Sequence, residues 1–182
     1  DLRDWRVLSG NAFVGQPIKG DTIGPRRPGM RSNHVGNYWI GTYEVREDGP
    51  RGLIQSKQFT VTKPWAKFLI GGGTDDEGVD IITADDNKLF FHASGENVED
   101  MQPVAVDLRP IMGKNVYIRV VDDHSFGWGH INFDDFKLYS VEPVVPKRVT
   151  LTPDAVKFAG LSPQEAVKAM KEGIKDKAGV LA

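Results

Sequence analysis

The chain contains no cysteine. That absence excludes disulfides, a thiolate metal site, a cysteine nucleophile and a covalently attached c-type haem, and it leaves the compartment open. No apolar run approaches the roughly 18 residues of a membrane span, so no membrane-crossing segment is expected. The opening DLRDW is polar and unlike a signal peptide, and without an initiator methionine the chain reads as an excised or processed piece. Charge of one sign is lacking as well. Lys and Arg total 23 against 25 Asp and Glu, a formal net charge of -2, which supplies neither a basic field for nucleic acid nor an acidic, disordered composition. Up to Tyr139 there is also no convincing helical period.

What the chain does have suits one domain of ordinary size, or one domain plus an appendage: 182 residues, 40% of them hydrophobic. Twenty Gly and 11 Pro are more punctuation than a helical protein tolerates. Between these turn signals recur short runs of β-branched and aromatic residues, at 12–18, 38–44, 52–56, 58–62, 66–72, 79–85, 88–94, 102–108, 115–122 and 129–140. About ten strands without crossover helices predict an all-β protein, a jelly-roll-like antiparallel β-sandwich over residues 1–143. The clearest hairpin is VDIITADDNKLFFHAS, in which Asp85, Asp86 and Asn87 read as turn formers rather than ligands.

After Ser140 the character changes. Residues 144–160 form a proline-interrupted linker or edge segment, and 161–182 read as one C-terminal amphipathic helix that packs on the sandwich or begins a following domain. Ser162 is the expected N-cap, Pro163 the first helical residue and Glu165 the partner in a capping box. Val167, Met170 and Ile174 fall on one stripe, and Gly179 can end the helix.

The stretch SFGWGHINFDDF concentrates the chemistry. As a strand it sends Ile131 and Phe133 to the core and His130, Asn132 and Asp134 the other way, with a bulge at the Asp134–Asp135 doublet returning Phe136 and Leu138 to the buried side. His130 reads either as a buried imidazole held by a carbonyl or by Asp122, or as part of a site. The preceding loop carries Asp122, Asp123, His124 and Trp128, the flat ring and planar hydrogen-bonding groups that a sugar's apolar face and hydroxyl rim require. A second candidate is the Arg-rich segment holding Arg26, Arg31 and His34 and leading into Trp39. Its guanidinium forks suit vicinal hydroxyls or an acidic or sulfated glycan, or else pair with the chain's own acids.

Other patterns carry less. GGGTDDEG (71–78) is followed by neither a Lys-Ser/Thr pair nor a helix, so it reads as a connection and not a phosphate loop. Its Asp75, Asp76 and Glu77 could contribute to a structural calcium, although the spacing is not that of a helical calcium loop. The four histidines lack HExxH spacing. Asp122, Asp123 and His130 could in principle form an acid/base group, but no nucleophile elbow and no paired carboxylates accompany them, so an enzyme is not expected.

The segments FLIGGG, DLRPIMGKNVYIRVVD and WGHINFDDF, within roughly residues 38 to 140, resemble the levan-binding family-66 carbohydrate-binding modules and the C-terminal β-sandwich of levanase and invertase glycosidases. The upstream segment is similar to modules of multidomain planctomycete-type bacterial proteins. The resemblance implies a jelly-roll-like sandwich without catalysis that binds sugar units, fructose termini in the best-known members. The Arg-rich segment and the helical tail lie outside the family pattern. The expectation is a noncatalytic, lectin-like accessory module, secreted or periplasmic, that holds a larger enzyme near a polysaccharide or oligosaccharide. Trp128 and Trp39 would stack on sugar rings, with Asp122, Asp123, His124, His130, Arg26, Arg31 and His34 around them. The alternative is a structural sandwich packing against neighbouring domains of a larger protein.

Overall fold

Period-two alternation dominates the chain, and the fold follows from it. The computed structural model of the chain describes residues 2–74, 76–146 and 161–178. Among them eleven strands form two antiparallel sheets. In chain order these are β1 Trp5–Gly10, β2 Ile18–Lys19, β3 Tyr38–Gly41, β4 Gly52–Ser56, β5 Phe59–Thr60, β6 Trp65–Gly72, β7 Glu77–Thr83, β8 Leu89–Ala93, β9 Val98–Asp107, β10 Asn115–Asp122 and β11 Ile131–Tyr139. The first sheet runs β1-β4-β10-β7-β8, with β5 also on β10; the second runs β2-β3-β11-β6-β9. The all-β sandwich is therefore the fold of the chain.

The core lies between the two sheets. Val116, Ile118 and Val120 of β10 and Val79 and Ile81 of β7 face Phe68 and Ile70 of β6 and Ile131 and Phe133 of β11, all buried. Aromatic contacts knit the middle: Phe68 meets Phe133 at 5.8 Å, and Trp5 meets Phe133 edge-on at 5.9 Å. Removing such a ring costs its burial, about 1.5–3 kcal/mol, plus the cavity left behind.

Several local readings are met in detail. The β7–β8 hairpin pairs Asp80 with His92 and Ile81 with Phe91. Its turn is held by Asp86, which accepts a 2.5 Å bond from the Thr83 hydroxyl, and by Asn87 at φ 53°. In β11 the register shifts between Asp134 and Lys137, with Asp135 at φ 54°, and Phe136 and Leu138 return to the core.

Others are corrected. Residues 12–18 are not a strand: Ala12 and Phe13 are buried in a loop, and only Ile18 begins a short pairing with Trp39. The run 38–44 stops as a strand at Gly41 and turns into a single helical turn, Tyr43–Arg46. β1 escaped the strand reading because it is shallow, with Val7 51% exposed.

Both outer faces are covered. The Arg-rich segment is a flap on the second sheet: it contains the helical turn α1, Ile23–Arg26, and buries Ile23 against Trp39, Leu69 and Met101. The Ser32 carbonyl accepts the Met101 N–H at 3.2 Å, and the Asp134 carboxylate accepts the Val35 N–H at 2.7 Å. The C-terminal helix, Pro163–Ala178, packs on the first sheet through Ala166 and Met170 against Leu53 and Val121. Its capping box forms as read, with the Ser162 N–H donating to Glu165 at 2.8 Å and the Glu165 N–H to Ser162 Oγ at 3.3 Å. The stripe is rotated from the expected one. Ala166 takes the buried place beside Met170 and Val167 stays half-buried, because a small residue lets the helix approach the sheet. The side chain of Ile174, Gly179 and most of the 144–160 segment lie outside the described residues.

Candidate functional site

The strand β10 ends at Asp122, and the chain then makes a tight loop before β11. Gly129 N–H donates to the Phe126 carbonyl at 2.6 Å and His130 N–H to the Trp128 carbonyl at 2.9 Å. Trp128 takes a left-handed conformation, φ 67°, between two glycines. Two glycines of GGG, Gly72 and Gly73, brace this loop. Gly73 N–H donates to the His130 carbonyl at 2.8 Å, and a Cβ on Gly73 would lie 2.1 Å from the Trp128 carbonyl oxygen. Close backbone approach, and not a phosphate, explains that motif.

From this loop Trp128 stacks on His130, centroids 5.6 Å apart, and the Arg27 guanidinium lies over the Trp128 ring at 5.0 Å. His130 meets Tyr43 edge-on at 5.2 Å, and the Arg26 guanidinium lies over Tyr43 at 4.1 Å. One carboxylate ties these layers together. Glu99 accepts from Arg26 at 2.7 Å, lies 3.2 Å from Arg27 and 3.4 Å from His130 Nε2, and accepts from Asn132 at 3.3 Å. Asp48 holds the other ring nitrogen of His130 at 2.7 Å. Burial alone would push the Glu99 carboxyl up, but His130 and Arg26 outweigh it and hold the group down at about 2. Burial likewise opposes the charge on Arg26, yet Glu99 and Glu44 keep its pKa above the ordinary value.

The expected residues are divided by this geometry. Arg26, His130 and Trp128 come together, and Trp128 is part-exposed. His130 itself is fully buried, with Asp48 and Glu99 as partners instead of Asp122 or a carbonyl, and it lies under the Trp128 ring. Asp122 and Asp123 are corrected from ligand contacts to buried groups, 1% and 0% exposed. Burial pushes the Asp122 carboxyl well above the ordinary range, opposed by a hydrogen bond with Thr42 and reinforced by the charges of Glu77, Asp48 and Asp123. Asp123 lies 3.6 Å from Arg51.

Trp39 is also corrected: it is 2% exposed and donates from Nε1 to the Gly20 carbonyl at 2.9 Å, so the ring is a packing plug. His34 stacks on it at 6.1 Å and bonds the Ser32 hydroxyl at 2.5 Å. Arg31 is exposed and donates to the Met30 carbonyl at 2.8 Å. The flap's Arg26 and Arg27 thus pair with the chain's own acids.

The sequence reading passed over Phe126, Tyr43 and Glu99. Phe126 is 58% exposed, with His124 against its edge at 5.7 Å, and it is the most exposed aromatic ring among the described residues. Its signal was in plain view, an aromatic in a Gly-punctuated loop, but the neighbouring Trp drew the reading. Glu99 carries no local signal, because its partners come from remote parts of the chain. Among the described residues no group of three or more His, Asp or Glu could hold a metal ion; Asp75, one of the expected calcium ligands, lies outside them.

No family model matches the sequence. A protein of Aspergillus rugulosus named provisionally as a glycosyl hydrolase, ecdE, is 28% identical over 133 residues, which are 72% of this chain and 18% of that protein. The chain therefore spans less than a fifth of the curated relative it matches. Among solved structures, the carbohydrate-binding module TmCBM61 in complex with β-1,4-galactotriose is similar with TM-score 0.46 and 15% identity, covering 76% of this chain and 90% of that one. A cleaved adhesin domain of Lys-gingipain gives 0.45 and 15%, covering 75% and 90%. A family 35 carbohydrate-binding module from Clostridium thermocellum gives 0.41 and 12%, covering 77% and 95%.

Proposed function

We propose that the chain is a noncatalytic carbohydrate-binding module that holds a larger enzyme near a neutral polysaccharide, and that the loop end built on Phe126, Trp128 and Arg27 takes the sugar. The observation that carries this reading is a loop with an exposed Phe126 ring against His124 and, two residues on, a part-exposed Trp128 that carries the Arg27 guanidinium and rests on His130. A flat ring accepts the C–H face of a sugar, and a guanidinium fork accepts hydroxyl oxygens two at a time. Because Arg26 and Arg27 are already ion-paired, the site favours vicinal hydroxyls over sulfate or uronate. Fructans head the ligand order on the family-66 resemblance. The partial match to a longer relative named as a hydrolase fits an accessory module in an enzyme, in a secreted or periplasmic setting. Affinity is modest, since a shallow site exchanges water hydrogen bonds for sugar ones with little net gain.

Affinity electrophoresis against levan, inulin, neutral plant and algal polysaccharides and their sulfated counterparts tests the reading. Retardation in at least one neutral gel, abolished by Phe126→Ala, is the expected result. A folded sample that no gel retards overturns it in favour of an interaction module that packs against neighbouring domains.

A further inference from the structure

Arg51 is a charged residue placed where charge is costly: it stands just before β4, only 9% exposed, next to the loop that carries Phe126 and Trp128. Its main chain and its side chain serve two different loops. The Arg51 carbonyl accepts the N–H groups of Asn11 and Ala12 at 2.8 and 3.1 Å, which fixes the turn leaving β1. The guanidinium reaches the loop between β10 and β11: Nε donates to the Ser125 hydroxyl at 2.8 Å, and Nη1 lies 3.6 Å from the buried Asp123 carboxylate. At that distance the second contact is charge attraction and not a hydrogen bond. The directed contact is the one to Ser125.

The two halves of that loop are held differently. Behind Trp128 the backbone is tied by the N–H bonds of Gly129, His130 and Gly73. Ahead of Phe126, the Asp123 N–H donates to the Asp76 carbonyl at 3.3 Å, and the Ser125 hydroxyl is drawn onto Arg51. Ser125 is half-buried while its neighbour Phe126 is 58% exposed. Anchoring the one side chain inward leaves the next ring on the outside, whereas an apolar ring left to itself gains by folding down onto the surface. A hydrogen bond from a charged donor is among the stronger ones, so it suits the task of opposing that collapse.

We propose that Arg51 is a positioning residue of the sugar site: through Ser125 it holds the first half of the loop so that the Phe126 ring faces outward, ready for a sugar. The inference rests on the loop end being that site. Arg51 acts through its neighbours and not by touching the sugar. A loop that keeps its binding shape only about a tenth of the time binds about tenfold more weakly, with no change in the contacts themselves. The tie therefore sets affinity, while the sheets, held by their own core, do not depend on it.

Arg51→Ala leaves the buried Asp123 without its countercharge and can unfold the chain, so the decisive variants are at Ser125. Ser125→Ala removes only the acceptor, and Ser125→Thr restores a hydroxyl. Wild type and both variants are run by affinity electrophoresis in levan, inulin and neutral plant and algal polysaccharide gels, with amide NMR relaxation and thermal melting on the same samples. In a gel that retards the wild type, Ser125→Ala is expected to weaken retention about tenfold. It should also raise the ps–ns mobility of amides 124–128 and leave the melting temperature and the core-strand spectrum unchanged. Ser125→Thr should recover both retention and order. Wild-type retention by Ser125→Ala, a loop as ordered as before, or a Ser125→Thr chain as weak as Ser125→Ala would overturn the positioning role and leave the sugar site standing. Weaker retention accompanied by a lower melting temperature and shifts throughout both sheets would overturn it too, since the bond would then be holding the fold. A folded wild-type sample that no gel retards would overturn the sugar reading and this role with it.

Discussion

Asp122 stands where a strand enters a loop, a position that looks ligand-facing in sequence, and its burial makes it a source of pH dependence instead. Its folded pKa is raised, so its contribution to stability is fully present below the ordinary carboxylate range and is lost as pH rises through the folded value. Asp122→Asn should therefore raise the melting temperature at pH 7 by roughly 2–4 °C for each kcal/mol relieved, and give no gain at pH 3; sugar binding should be unchanged. Melting curves across that range check both parts. Glu99 has the opposite sign. Held down at about 2 against an ordinary 4.5, it stabilises above 4.5 and loses that contribution as pH falls through about 2. Glu99→Gln removes the carboxylate that Arg26, Arg27 and His130 share, although Arg26 keeps Glu44, and should cost about 3 kcal/mol in denaturant unfolding, with a sharp loss of sugar retention because the ring stack loses its anchor.

The elements show what was legible and what was not. β4 and β6 to β11 announce themselves through alternation and turn residues, and the hairpin turn at Asp86 and Asn87 through side-chain chemistry that acts locally. β1 does not, because a half-exposed strand lacks a buried parity, and neither do the helical turns at 23–26 and 43–46, which have too few residues for a period. The site is less legible still. His130 and Trp128 are neighbours in the chain, but Glu99 meets Arg26 across 73 positions, and no local pattern encodes such a pairing. GGG was readable only as a turn signal until the loop packed on it. Gly73→Ala should displace the loop around Trp128 while the sheets survive: far-UV circular dichroism stays as in the wild type, and retention by the glycan falls to background. The C-terminal helix gives a separate check. Met170→Ala should cost roughly 2–3 kcal/mol of docking, seen as faster amide hydrogen exchange across Ala166–Met170 with no change in glycan binding.

For the whole molecule, the sandwich acts as a frame that keeps rings at its loop end facing outward. Among the described residues the Arg-rich flap lies on one outer face and the C-terminal helix on the other, so the proposed sugar site is the loop end. Chemical-shift mapping with oligosaccharides of a retained neutral glycan tests this most directly. The account predicts that the largest shifts fall on Phe126, Trp128, Arg27 and Tyr43. Shifts centred on the C-terminal helix, or none with any neutral glycan at millimolar concentration, would contradict it.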